Sequence, residues 1–154
     1  MNPNEHFADI AERFCSWVES EHHDPTYGRA LLLELLLYGA QLDVENHVID
    51  CSKDYPRRGH EGWQADYLRF KDLPFSYYKE VAEPFDLSVY NDVVTGDLHD
   101  DLADIYGDLW QGLAAWKSGD TASAMGLWHQ SYLSHWGAHA SAAAHALYTF
   151  LRRG

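Results

Sequence analysis

The stretch from Thr121 to Leu151 constrains the fold most, because it contains no Asp, Glu, Lys or Arg. Its polar groups are four histidines, Gln130 and several hydroxyl side chains. A helix of this length without a charged face is normally covered on most of its sides. A membrane span is disfavoured, since the histidines and the glutamine would lie in hydrocarbon at a high free-energy cost. We therefore predict a long helix buried in a bundle, with bends allowed at Gly126 and Gly137.

A second long helix is predicted just before it, with Asp97 as its N-cap. Its apolar residues recur with helical spacing, and a stripe of carboxylates runs beside them. Residues 118–120 form a short turn, which makes the two helices antiparallel neighbours. Two residues, one from each helix, then lie at the same height along the helix pair when their numbers sum to about 238. The carboxylates of the stripe are Asp97, Asp101, Asp104 and Asp108, and the predicted level pairs are Asp101 with Gly137, Asp104 with Ser134 and Gly112 with Gly126.

The remainder of the chain shows shorter helical patterns that end at turn residues. Residues 51–62 combine Pro, Gly and charged side chains, which is typical of a loop. No repeat and no linker divides the sequence. We predict a single all-α domain over residues 1–154, an antiparallel bundle of about five to seven helices. The further helical segments are predicted at 5–20, 26–42, 63–70 and 75–82.

The charge of the chain narrows the classes of partner. Eleven Lys and Arg against twenty-four Asp and Glu give a formal net charge of −13, which repels the phosphates of nucleic acids and of anionic lipids. Neither nucleic acid nor a membrane is therefore expected as a partner. The opening residues lack the basic end and apolar run of a signal peptide, and Cys15 and Cys51 show no CxxC spacing. These features predict a cytoplasmic protein with free thiols.

His135 and His139 form the candidate site. In a helical projection at about 100° per residue they share a face with Trp128, so both rings are predicted to point inward, close to Asp101 and Asp104. Three interpretations are open. The histidines are hydrogen-bonded core residues, or they hold a divalent metal such as zinc together with one or both carboxylates, or a His–Asp pair transfers protons.

Other catalytic patterns are poorly matched. A di-iron bundle needs two ExxH repeats, whereas the sequence contains one such pair, Glu19 with His22, at the end of a predicted helix. A Ser–His–Asp triad lacks its GxSxG elbow, and no glycine-rich nucleotide-binding motif is present. The cluster around His135 and His139 is therefore the best catalytic candidate.

An acidic and aromatic surface suggests a different function. The segment from Glu80 to Trp116 carries nine acidic residues and no Lys or Arg, which is typical of a solvated face or of a docking surface for a basic protein. The first hypothesis is therefore a non-catalytic protein-interaction or binding module. The alternative is a metal-binding bundle, and whether the protein is an enzyme stays open. Aromatic residues that could form the centre of a contact are Trp63, Tyr67, Tyr77, Tyr78 and Tyr90.

Three segments carry a family resemblance: GDLHDDLADIYGDLWQGL at 96–113, LWHQSYLSHWGAH at 127–139 and YYKEVAEPFD at 77–86. They resemble a bacterial family of unknown function, domain of unknown function 5063. The resemblance covers roughly the last half of the chain. It implies a small all-helical cytoplasmic protein, with no activity to carry over. The positions that match the motifs are Asp100, Asp101, Asp104, Ile105, Tyr106, Asp108, Leu109, Gly112, Leu113, His135, Trp136, Gly137 and His139.

A more distant similarity is to the DinB-like helical bundles, which hold a metal ion with an HxxxH pair on one helix and a third histidine on another. On this similarity the pair is His135 and His139, and His47 is the candidate third ligand. The similarity implies a metal-dependent enzyme as the alternative to an interaction module.

Overall fold

A computed structural model describes residues 1–42, 53–90 and 92–153, and most of these residues are helical. Within these ranges five helices form the bundle, when the continuous segment from Thr121 to Leu151 counts as one helix, and the predicted all-α fold is confirmed. No helix of the described ranges is long and apolar enough to cross a membrane. The helices are α1 (Pro3–Glu19), α2 (Pro25–Gly39), α3 (His60–Leu68), α4 (Leu98–Lys117), α5 (Thr121–Ser131) and α6 (Gly137–Leu151), with a π-helical turn at Tyr132–Trp136.

Side-chain caps begin four of these helices. Asn2 accepts a hydrogen bond from the backbone N–H of Glu5, and the Glu5 side chain accepts one from the N–H of Asn2. Asp24, Asp97 and Asp120 cap α2, α4 and α5 in the same way, by accepting backbone N–H groups of the first turn. Such caps satisfy donors that have no partner inside the helix. The caps at Asp97 and Asp120 therefore define where α4 and α5 begin.

Large aromatic side chains fill the space between α1, α4 and the long C-terminal helix. The indoles of Trp128 and Trp136 are fully buried, and both rings pack against Phe7. The N–H of Trp128 donates to the oxygen of Leu109 at 3.2 Å, and the N–H of Trp136 donates to the oxygen of Trp128 at 3.0 Å. Because neither donor is left unpaired, the rings contribute their full apolar area to the core.

Gly112 of α4 makes room for one of these rings. A Cβ atom on Gly112 would lie 2.0 Å from Nε1 of Trp128. The indole of Trp128 therefore fills the space that the missing side chain of Gly112 leaves, whereas the pairing of Gly112 with Gly126 stays a prediction.

A π-helical turn changes the direction of the side chains at Tyr132–Trp136. The N–H of Gly137 bonds to the oxygen of Tyr132, five residues back, so the turn contains one residue more than an α-helical turn. In a regular α-helix Trp136 would be rotated by about 80° from Trp128, whereas the extra residue brings both indoles into the core. Gly137 suits this turn, since a Cβ there would lie 2.4 Å from the Tyr132 oxygen.

Residues 75–82 do not form the predicted helix. They contain strand β1 (Tyr77–Val81), which pairs antiparallel with β2 (Val93–Asp97). The helix prediction is wrong because Tyr and Val favour a pleated, half-buried surface, and burial alternates along β1 with a period of two. Gly96, opposite Tyr78, leaves space for the tyrosine ring. This two-stranded ribbon holds the Tyr78 hydroxyl over the first turn of α4.

Two other predicted boundaries shift. The helix predicted for 26–42 ends at Gly39, and α3 begins at His60 and not at residue 63. Of the loop predicted for residues 51–62, the structure describes the part from residue 53 onward, and this part ends at Gly59, just before α3.

Of the two cysteines, Cys15 is a buried free thiol, and Cys51 lies outside the described residues.

Candidate functional site

The candidate site lies where α4 packs beside the π turn and the beginning of α6, in the middle of the long helix. Carboxylates occur on α4 in steps of three and four residues, at Asp101, Asp104 and Asp108, and imidazoles occur on the long helix at His135 and His139. Because the two helices run antiparallel, His139 lies nearer the beginning of α4 and His135 lies further along it. The structure brings together the four residues proposed from sequence as ligands and adds Asp108 to them.

His139 lies between two carboxylates. Its Nδ1 is 2.7 Å from Oδ1 of Asp101, and its Nε2 is 3.1 Å from Oδ2 of Asp104. Because ionised carboxylates only accept hydrogen bonds, both ring nitrogens carry a proton in this arrangement. Burial disfavours the charged ring, but the hydrogen bonds with Asp101 and Asp104 outweigh burial and raise the pKa of His139 to about 10.

This raised pKa predicts how the stability of the metal-free protein depends on pH. His139 contributes stability that is fully present below the unfolded-state pKa of about 6.5 and is lost as pH rises through about 10. The difference in the free energy of unfolding between wild type and His139→Gln should therefore shrink over that interval. Urea denaturation in the presence of a chelator measures it. A difference that stays constant from neutral to alkaline pH, or an equal change in the control His145→Gln, would contradict the assignment.

His135 lies at the rim of the cluster. Its Nδ1 is 2.7 Å from Oδ2 of Asp108, and its Nε2 is 3.7 Å from Oδ2 of Asp104. Its side chain is 44% exposed, compared with 23% for His139. The prediction that both rings point inward is wrong for His135, because the extra residue of the π turn gives the buried position to Trp136.

Oδ2 of Asp104 is the point on which the two histidines converge. Both Nε2 atoms face it, and the two rings meet edge to face with their centroids 4.9 Å apart. One ligand-type atom from each of Asp104, His135 and His139 lies within 4.8 Å of the others, and Asp100, Asp101 and His139 form a second such group. The geometry therefore allows a cation to be shared by residues of both helices.

The carboxylates next to this point differ in their surroundings. Asp101 is buried and accepts a hydrogen bond from the Tyr78 hydroxyl, and burial together with this bond raises the pKa of Tyr78. Burial and the charge of Asp104 raise the pKa of Asp100. Burial also raises the pKa of Asp108, although the hydrogen bond with His135 acts in the opposite direction. The sequence did not predict Tyr78 at the site, because its only signal was the alternation of residue types along β1, a segment that was predicted to be a helix.

Three other motif residues lie outside the cluster. Tyr106 is buried, and the guanidinium of Arg58 lies over its ring at 5.7 Å. Trp136 and Gly137 shape the π turn, as described above. His47, the predicted third histidine ligand, lies outside the described residues.

Two clefts reach the cluster. The larger has a volume of about 370 Å³ and lies between the β-ribbon, α4 and α6, with Asp101 and His139 in its wall. The smaller has a volume of about 140 Å³ and includes Asp104, His135 and Arg57 in its wall. Solvent and small molecules therefore have access to the cluster from both the ribbon side and the α3 side.

The fold and the site define a class of small helical bundles that carry a histidine–carboxylate cluster between two antiparallel helices. The chain belongs to the family described as "Domain of unknown function (DUF5063)", whose sequence profile matches residues 3–152. The family resemblance is thus confirmed, and it extends over nearly the whole chain and not only its last half.

A solved structure has the same fold. The protein is similar to the crystal structure of protein BF1032 from Bacteroides fragilis, with a TM-score of 0.75 and 16% sequence identity, over 96% of this chain and 90% of that chain. At this identity the similarity shows the fold alone. No curated protein matches the sequence.

Proposed function

We propose that the protein binds one divalent metal ion through Nε2 of His135, Nε2 of His139 and the carboxylate of Asp104. The observation that carries the proposal is the convergence of the two Nε2 atoms on Oδ2 of Asp104, at 3.7 and 3.1 Å. Two ligand atoms that are each about 2.0–2.1 Å from a tetrahedral zinc ion are about 3.3 Å apart. Small movements of the side chains therefore suffice to admit an ion.

Each proposed histidine ligand has a carboxylate partner on its other ring nitrogen. Asp101 lies 2.7 Å from Nδ1 of His139, and Asp108 lies 2.7 Å from Nδ1 of His135. Histidines that bind metals almost always donate their second N–H to such a partner, which fixes the orientation and tautomer of the ring. In this proposal Asp104 is the ligand, whereas Asp101 and Asp108 orient the imidazoles.

The proposed ligand set leaves coordination positions open. Two histidines and one carboxylate are three protein ligands, and sites with three such ligands and a bound water are typical of catalytic zinc, while structural zinc sites have four protein ligands. The same set suits other divalent ions that prefer nitrogen and oxygen, including iron. Asp104 on a separate helix would take the place of the third histidine in the DinB-like arrangement. A metal-dependent enzyme is therefore the form of the metal hypothesis that we favour.

The interaction-module hypothesis stays a prediction. Its best support is the tip of the ribbon between β1 and β2, where Phe85 is 96% exposed and Tyr90 is 90% exposed. Exposed aromatic rings are compatible with a protein contact, but they define no chemistry for the partner. The charge, donor types and spacing of the cluster around Asp104 suit a divalent ion, so this cluster supports a more definite proposal.

Metal analysis of protein purified without a histidine tag tests the proposal. We expect about one zinc ion per chain after loading and dialysis. Free zinc at about 100 times its dissociation constant should raise the free energy of unfolding by about 2.7 kcal/mol, and a chelator should reverse the effect. Uptake of far less than one ion per chain, with unfolding unchanged by zinc or chelator, would contradict the proposal.

A further inference from the structure

We propose that the metal site binds a small anionic ligand, a carboxylate or phosphate group, in the cleft of about 140 Å³ between α3 and α4, with Arg57 as its counter-charge. This inference rests on the proposed metal site. It deepens that proposal, because it names the chemical class of substrate that the open coordination positions would take.

The cleft brings a cationic side chain to the proposed ligands. Arg57 and Trp63 contribute to one wall, and Asp104, Asp108 and His135 contribute to another. Gly107 of α4 also lines the cleft, and a Cβ there would meet only the stem of Arg58, at 3.9 Å. A molecule in this space would contact the guanidinium of Arg57 and the metal ion together.

The two neighbouring arginines of the cleft have different roles. Arg58 makes two hydrogen bonds of 2.9 Å with the buried carboxylate of Asp66, and its guanidinium lies over the ring of Trp110. The charge of Arg58 is therefore paired within the fold. In contrast, Arg57 is exposed and makes no ion pair within 4.0 Å with a carboxylate of residues 1–42, 53–90 and 92–153, although its charge favours the ionised form of Asp108 in the same cleft. Its planar donors remain available for bidentate pairing with a carboxylate or phosphate.

Electrostatics and size define the class of ligand. A net charge of −13 repels free anions, so an anion needs local positive charge, which the metal ion and Arg57 would supply on the same cleft. The cleft has a volume of about 140 Å³, which is less than half that of the cleft beside the ribbon. A cleft of this size fits the acidic group of a small molecule.

Anion titrations of the Co²⁺-loaded protein at constant ionic strength test this inference. Inorganic phosphate and acetate are added separately, and the visible absorption of the bound Co²⁺ reports whether the anion enters its coordination shell. We expect saturable binding of at least one of the two, and the comparison shows which acidic group is preferred. Arg57→Gln should weaken that binding by about tenfold or more while the Co²⁺ affinity stays unchanged, since loss of a charge-assisted hydrogen bond is worth about 1.4 kcal/mol or more.

Arg153→Gln is the matched control, because Arg153 is an exposed arginine in a different groove, beside α6 and the ribbon. It removes the same charge and should leave anion binding unchanged. If Co²⁺ binds but neither anion changes the spectrum, or if Arg57→Gln behaves like Arg153→Gln, the inference is overturned and the metal site stands. If Co²⁺ itself does not bind, the metal proposal fails and the inference fails with it.

Discussion

Replacing His139 with Gln is expected to lower the affinity of the protein for Zn²⁺ by a factor of about 100 or more, which corresponds to about 2.7 kcal/mol. The substitution removes one of three proposed ligands and leaves His135 and Asp104 to hold the ion alone. Asp101→Asn should have a smaller effect, a loss of about 10- to 100-fold, because Asp101 orients the His139 ring without touching the metal. Competition with a zinc-binding dye at fixed pH measures both affinities.

The matched control for this series is His145→Gln. His145 is exposed and lies on the same helix, six residues beyond His139, so it tests whether zinc binds unspecifically to the histidines of the chain. We expect the zinc affinity of His145→Gln to equal that of wild type, since distant sites act independently. Circular dichroism verifies that each variant is folded. An equal loss of affinity in His139→Gln and His145→Gln, or no loss in either, would contradict the assignment of the ligands.

Gly112→Ala is expected to destabilise the fold by about 3 kcal/mol, the upper part of the range for an overpacked core. The added methyl group would lie 2.0 Å from Nε1 of Trp128, whose ring is fully buried between Phe7 and Trp116 and donates a hydrogen bond to Leu109. The ring therefore has no free direction in which to move. The gain in helix propensity from Gly to Ala, about 1 kcal/mol, is too small to offset the strain.

Gly107→Ala provides the control on the same helix. A Cβ on Gly107 would meet only the stem of Arg58, at 3.9 Å, which is an ordinary contact. We expect this variant to be as stable as wild type or more stable by up to about 1 kcal/mol. Urea unfolding of both variants compares the two free energies directly. Equal stabilities for Gly112→Ala and Gly107→Ala would show that Trp128 does not pack as described.

The helical architecture was predictable because it depends on local patterns. The cap at Asp97, the turn at 118–120 and the uncharged run from Thr121 to Leu151 are all features of contiguous sequence. Together they predicted two antiparallel helices and the approach of His135 and His139 to Asp101 and Asp104. The family resemblance on the motifs of these helices led to the same segments, and the family match now covers 3–152.

The strands and the π turn were not predictable from the same reasoning. The apolar residues of 75–82 fit a helical spacing as well as a strand, and only the pairing of Tyr78 with Gly96 selects the strand. The π turn has no periodic signature of its own, because it depends on the fit of Trp136 into the core and on the bond from Gly137 to Tyr132.

The sequence by itself determined the helical bundle and the level at which imidazoles and carboxylates meet, because helix periodicity and caps are properties of neighbouring residues. Only the tertiary structure decided which nitrogen faces which carboxylate. The position of each ring depends on one extra residue in the π turn and on the Tyr78 hydroxyl at Asp101. The packing of Trp136 against Phe7, which depends on the π turn, and the hydrogen bond of Tyr78 with Asp101 join segments far apart in sequence. They distinguish Asp104, on which both histidines converge, from Asp101 and Asp108, which bond the opposite ring nitrogens.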